Sequence, residues 1–234
     1  MTLPADVLRQ LDALIRAYSL PAGSRERLGA LLTALDDEHA PTTVREPSAG
    51  VGVHLADSLT GLDLEVVRSA SAIADLGAGA GFPGLPLALA LPQARVALVE
   101  SIARKCAFIS AAAEAAQITN VDVVAARAEE WQEGIGRQDV VTARALAPLG
   151  VLVEYAAPLL REGGALVAWK GRRDDEEEAQ GARAAAVVGL ELEQILPVSP
   201  YDGADHRHLH VLRKVAPTPE RFPRRAGMAR KRPL

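Results

Sequence analysis

Apolar side chains recur at helical spacing over residues 4–18, where Val7, Leu8, Leu11, Leu14, Ile15 and Tyr18 share one face. A second helix follows, with Ser24 placed to cap it and Leu28, Leu31, Leu32 and Leu35 as its apolar face. The stretch HAPTTVREPSAG breaks this periodicity with two prolines and small polar residues, and reads as a loop or linker. A short helix is predicted from His54 to Leu62. From Ser71 the pattern changes. The runs SAIADL, ARVALVE, VDVVAA, QDVVTAR and GALVAWK predict strands, with helices between them near 84–91, 101–117 and 148–160. A charged helix over 174–187 precedes LELEQILPV and HLHVLRKV, which are spaced to pair as an antiparallel ribbon. Such alternation predicts an α/β fold, a doubly wound, mostly parallel sheet of seven strands. Sheets of this kind bind ligands beyond the carboxyl ends of their strands, where strand order reverses. The expected organisation is a helical extension over 1–62, an α/β domain over 63–215 and a basic tail over 216–234.

Composition narrows the core. Of 234 residues, 49% are hydrophobic but only 3% aromatic, so Ala, Leu and Val must fill it, as suits helices packed on a parallel sheet. No apolar run approaches the ~18 residues a membrane span needs. The first residues alternate charge with apolar groups, unlike a signal peptide, so a cytoplasmic protein is expected. The single cysteine, Cys106, excludes an internal disulfide and a cysteine metal cluster; in ARKCAFISAA it reads as a buried helix position.

Charge is unevenly placed. From Arg213 onward eight basic residues face one acid, Glu220, a local balance of +7 that leaves −11 on the remainder of a chain whose net charge is −4. A basic tail on an acidic body suits a polyanionic partner, although a solvated end is the plainer alternative. Arginine outnumbers lysine 22 to 4 throughout, so arginine richness is a habit of the whole chain.

The most informative segment is DLGAGAGFPGLP, residues 75–86, between a strand and a helix. Gly77 and Gly79 let the backbone turn sharply and approach a ligand. Pro83 or Pro86 suits a helix's first turn. Two cofactors compete for this loop. Gly79, Gly81 and Gly84 satisfy the dinucleotide G-x-G-x-x-G, and Glu100 lies about 20 residues on, where a ribose-binding acid is expected. An acid, Asp75, also ends the first strand, and D-x-G-x-G-x-G resembles the opening motif of class I methyltransferases. A carboxylate there is a poor neighbour for a pyrophosphate and a good one for a sulfonium cation, which favours S-adenosylmethionine over a nicotinamide cofactor. The plainer alternative leaves Asp75 capping a turn. Further along, Ala128 and Glu129 follow the third strand, where this class places groups against the adenine, with Arg127 and Glu133 flanking them.

Seven segments, in order, resemble the bacterial small-subunit ribosomal RNA guanine-N7 methyltransferase family, also called glucose-inhibited division protein B. TTVREP resembles the family's T-S-V-R-D-P, and HLADS from His54 its H-I-L-D-S. DLGAGAGFPGLPL is close to D-V-G-T-G-P-G-L-P-G-I-P-L, and ARALAPL, with Arg144, to S-R-A-x-A-x-L. WKG with Lys170 and RHL with Arg207 and His208 fit the family's K-G and R-H-L, and FPRRAGMARKRPL its Y-P-R-x-x-G-x-x-x-K-x-P-L ending. Ala40-Pro41 and Val53 depart from the family's Asn-Leu and arginine. The resemblance implies a class I, Rossmann-like fold, S-adenosylmethionine as donor, 16S rRNA or the small ribosomal subunit as partner, and cofactor contacts from Gly77, Phe82, Ala128, Glu129 and Arg144, to which the loop reading adds Asp75, Gly79 and Glu100. It leaves no membrane role, and a monomer is expected.

Guanine N7 needs no deprotonation before it accepts a methyl group, so positioning supplies most of the effect, worth about 7–11 kcal/mol in favourable cases. The chain agrees: after its fourth strand it carries neither the Asn/Asp-Pro-Pro-aromatic element used on exocyclic amines nor a Pro-Cys or Thr-Cys nucleophile. Arg144 is expected to touch the cofactor carboxylate or the guanine, and its alternative is a surface ion pair. Lys170, Arg172, Arg173, Arg207, His208, Arg224 and Arg225 are candidates for RNA phosphate contact, though each singly reads as a solvated charge. His206, His208 and His210 alternate but lack a fixed acidic partner, so no metal site is expected. His54 reads equally as functional or structural.

Overall fold

The structure is a computed structural model and describes residues 3–234. Two helices, α1 (Ala5–Tyr18) and α2 (Ser24–Ala34), come first. A helical rod follows, made of α3 (Pro47–Gly50), a wide π-type stretch (Val51–Ala56), α4 (Asp57–Leu59) and a 3-10 turn (Thr60–Asp63), then a short α5 (Glu65–Arg68). The α/β body comprises β1 (Ala72–Leu76), α6 (Gly84–Ala90), β2 (Arg95–Val99), α7 (Ala103–Ala115), β3 (Val121–Val124), β4 (Gln138–Arg144), α8 (Leu149–Ala156), β5 (Leu160–Lys170), α9 (Asp175–Val188), β6 (Leu190–Val198) and β7 (Arg207–Lys214). A last turn, α10 (Met228–Lys231), closes the chain.

The seven strands form one sheet in the order β3-β2-β1-β4-β5-β7-β6. Pairings from β3 to β5 are parallel, and β7 runs antiparallel between β5 and β6. Strand order reverses between β1 and β4, which opens a ligand crevice at the carboxyl ends of β1, β2 and β4. Alternation along each strand sorts side chains into two cores. Ile73, Leu98, Val140 and Val167 join α6, α7 and the N-terminal helices on one face. Ala74, Val99, Val141 and Leu166 join α8, α9 and the C-terminal segment on the other. The first core runs without interruption across the expected boundary at residue 62, since Val7, Leu28 and Leu31 pack in one cluster with Ile73, Leu85 and Ile109.

Three details differ from the sequence reading. Ser24 does not cap α2: its hydroxyl donates to the Pro21 carbonyl (2.6 Å), and Gly23, at φ 79°, holds the cap position. The loop of residues 39–50 ends early, because the Glu46 carboxylate accepts from the Ser48 and Ala49 amides and Pro47 opens a helix behind it. The helix expected over 148–160 stops at Ala156, where Pro158 is incompatible with continuation and Leu160 already pairs with Gln138. Cys106 lies buried on α7, its thiol directed at the Glu100 carbonyl (3.1 Å). The tail is packed, with Phe222 and Ala229 buried in the second core. Among the described residues no helix is long and apolar enough to cross a membrane.

Candidate active site

The glycine loop sits where the strand order reverses, and Asp75 explains its shape. Register places Asp75 beside Thr142 of β4, whose hydroxyl donates to Oδ1 (2.9 Å), while the Gly84 amide at the head of α6 donates to Oδ2 (3.0 Å). Gly84 has no room for a side chain: a Cβ would lie 2.1 Å from Leu98 and 2.9 Å from Asp75 Oδ2. Gly77, at φ 65°, makes the turn above. Asp75 is only 1% exposed and lies beneath the loop, so its expected direct contact with the donor is revised to a supporting one. Burial, only partly offset by Thr142, Gly84 and Arg144, pushes its carboxyl up to about 6 from 3.8. An acid with a raised folded-state pKa stabilises most when protonated, below about pH 4, and that contribution is lost as pH rises through about 6. The stability of the protein relative to Asp75→Asn is therefore expected to fall by up to about 3 kcal/mol between pH 4 and 7. Urea unfolding across that range measures it, and a pH-independent difference would contradict the assignment.

Beside the loop lies a cavity of about 420 Å³ at the carboxyl ends of β1, β2 and β4. Gly77, Glu100, Ala128 and Glu129, all predicted, line it, as do Ile102, Lys105, Tyr155, Leu146 and Arg230, which the sequence reading missed. Glu100 is buried at the end of β2; Oε2 accepts from the Gly79 amide (3.2 Å) and Oε1 from the Ile102 amide (2.9 Å). Each oxygen keeps a further lone pair, so the carboxylate fits a ribose diol. Lys105 approaches it to 3.8 Å. Ala128–Glu130 form a 3-10 turn after β3 on the cavity's far side, and Glu129 Oε1 accepts from the Gly227 amide (2.9 Å). Lys105 and Ile102 follow from a helix starting just after Glu100, a signal available in the sequence. Tyr155 carries no such signal, since it sits within an apolar helix.

Phe82 and Arg144 are placed next door rather than on the cavity wall. The Arg144 guanidinium, 16% exposed, donates from Nη1 to Asp57 Oδ2 (2.8 Å) and to the Val53 carbonyl (3.0 Å). It also stands 5.8 Å over the Phe82 ring, which stacks on His54 at 4.8 Å. His54 Nε2 lies 3.0 Å from the Val44 carbonyl and 3.2 Å from the Thr42 hydroxyl, and burial followed by the nearby Arg144 charge lowers its pKa. Trp169 at the end of β5 donates to the Asp57 carbonyl (2.8 Å). The rod containing His54 and Asp57 is thus tied to the ends of β4 and β5 and to the glycine loop. Arg144 is neither a surface ion pair nor a wall of the cavity: its partner Asp57 is 2% exposed.

The RNA candidates separate on geometry. Lys170 pairs with Glu177 (2.5 Å) and Arg173 with Glu178 (2.6 Å). Arg207 lies near Tyr201 (3.4 Å) and Asp57 (3.9 Å), and His208 Nδ1 near the Gly171 carbonyl (3.1 Å). Arg224 is a correction. Its two nitrogens grip the buried Glu154 at 2.6 and 2.5 Å, so its charge is spent inside the protein. Among the described residues Arg172 has a side-chain hydrogen bond only with His206 (3.2 Å), and Arg225 is exposed. His210 turns to Glu178 (3.2 Å), so the three alternating histidines face separate partners. Among the described residues no group of three or more His, Cys, Asp or Glu could hold a metal ion.

The sheet order, the acid-supported glycine bend and the cavity beside it define a class I methyltransferase fold. A Thermotoga maritima S-adenosylmethionine-dependent O-methyltransferase shares it with a TM-score of 0.56 at 15% identity, over 81% of this chain and 73% of that one. Aeropyrum pernix fibrillarin, solved with natively bound S-adenosyl-L-methionine, gives a TM-score of 0.54 at 19% identity, over 67% of this chain and 72% of its own. The chain belongs to the rRNA small subunit methyltransferase G family, whose model matches residues 25–209. The Rubrobacter xylanophilus ribosomal RNA small subunit methyltransferase G is 42% identical over 237 aligned positions, 97% of this chain and 89% of its own length.

Proposed function

We propose that this chain is a cytoplasmic, monomeric methyltransferase that uses S-adenosylmethionine to methylate N7 of a guanine in 16S rRNA of the small ribosomal subunit. The observation that carries this reading is the cavity joining Gly77, Glu100 and Ala128–Glu129, which offers a side-chain-free bend, a ribose acceptor and an adenine-side turn in one space of suitable size. Bound there, the donor supplies an activated methyl group on a positively charged sulfur.

The chain's own work is positional. Asp75, Thr142 and Gly84 hold the loop, and Glu100 fixes its outer edge through Gly79. Arg144, its Nη1 held by Asp57 and the Val53 carbonyl, stands between the loop and the N-terminal rod, a place from which it can meet an incoming base. N7 needs no base to release its lone pair, which matches a site whose acids are occupied as acceptors of backbone amides and arginine. Effective concentration can then supply most of the rate effect.

Mapping N7-methylguanosine in 16S rRNA from cells with and without the gene tests the reading. The modification is expected to vanish on deletion and return with the intact gene; its persistence would refute the substrate. Thermal stabilisation by S-adenosylmethionine but not by NAD tests the donor separately.

Phosphate contact by Arg172 and Arg225 gives a quantitative expectation. The double variant Arg172→Gln/Arg225→Gln should weaken RNA binding evenly across sequences and reduce the slope of log affinity against log salt by about 2. An unchanged slope would remove both from the interface.

A further inference from the structure

The donor cavity has a wall from an unexpected source. Residues 222–232 return from the far end of the sheet and lie along α8. Phe222 and Ala229 are buried there, Arg224 grips Glu154, and the Gly227 amide donates to Glu129 Oε1 (2.9 Å). These fastenings deliver Arg230 to the cavity mouth, where Nη2 donates to the Leu146 carbonyl (2.7 Å) beside Tyr155. The other cations on the wall stand elsewhere. Lys105 pairs with Glu100 on the ribose side, and Arg127 precedes the turn after β3.

Glu129 is the decisive neighbour. It belongs to the turn assigned to the adenine end of the donor, and the same carboxylate anchors the segment that carries Arg230. Arg230 itself, held on the Leu146 carbonyl three residues beyond that anchor, closes the mouth between the turn after β3 and the loop after β4. A guanidinium is planar and weakly hydrated, so it stacks on aromatic bases, whereas a lysine ammonium does not. We infer that the C-terminal segment is a strap closing the donor pocket, with the Arg230 guanidinium lying against the donor's adenine. This rests on the donor reading above. A residue in the basic tail thus serves the donor rather than the RNA.

Calorimetric titration with two ligands tests it. S-adenosylhomocysteine carries the amino-acid end, and 5′-methylthioadenosine lacks it. Arg230→Ala is expected to weaken both by a similar factor of about 10, the size of a base-stacking contribution. Arg230→Lys should recover little, because it restores charge without the plane. A loss confined to S-adenosylhomocysteine and rescued by lysine would make Arg230 a partner of the carboxylate and overturn the inference. Unchanged binding of both ligands by Arg230→Ala would overturn it too, while leaving the donor reading intact. If the unaltered protein binds neither ligand, the donor reading falls and the strap with it. Thermal melting of each variant confirms that the fold is retained, since Arg230 is exposed and buries no charge.

Discussion

Arg144→Ala is expected to lower folding stability by about 3–5 kcal/mol, because it leaves the Asp57 carboxylate buried without its cation. Asp57 is 2% exposed, and among the described residues Oδ1 already lacks a hydrogen-bond partner, with Arg207 no closer than 3.9 Å. Removing Arg144 strips the other oxygen as well. Loss of the guanidinium also frees the Val53 carbonyl and the face of Phe82, so the rod and the glycine loop lose their common support. Methyl transfer is expected to drop about a hundredfold through misplacement alone. Stability and function can be separated. Arg144→Met/Asp57→Asn removes both charges and should recover most of the folding energy while leaving methyl transfer low. Urea unfolding and initial rates on small-subunit RNA report the two effects. A folded Arg144→Ala that transfers methyl groups at the original rate would remove Arg144 from the site.

The second large effect is expected at the tail. Arg224→Ala strands Glu154, which is 2% exposed in the middle of α8, and should also cost about 3–5 kcal/mol. A solvated tail arginine would cost within about 0.5 kcal/mol. The contrast is large enough for a single denaturation series to decide. Arg224→Met/Glu154→Met, which replaces the pair with apolar groups of similar reach, should regain most of the loss, since buried ion pairs are often matched by apolar packing. If Arg224→Ala unfolds at the same urea concentration as the unaltered protein, the Arg224–Glu154 grip does not hold the tail.

Both effects arise from contacts between residues far apart in the chain, and this is where reading the sequence reached its limit. Arg144 and Asp57 lie 87 positions apart, and Arg224 and Glu154 lie 70 apart. Each residue stood in a segment that the sequence singled out or passed over for another reason. ARALAPL marked Arg144 as functional without showing what would hold it, and the basic tail suggested RNA contact for an arginine whose charge is taken up by the buried Glu154. Local signals did better where chemistry and chain neighbourhood coincide. The bend at Gly77 and the acid at Glu100 follow from backbone sterics and strand length, and both line the cavity.

The order of residues alone determined the layered α/β architecture, because apolar runs of strand length alternating with helical periodicity can bury their faces in few other ways. It also determined where the ligand crevice opens, since the glycine bend is a local property of the backbone. Tertiary structure alone decided which charges are free and which are spent. A buried carboxylate such as Asp57 or Glu154 selects its arginine by proximity in space, and the cost of burying a charge unpaired enforces that choice regardless of separation along the chain.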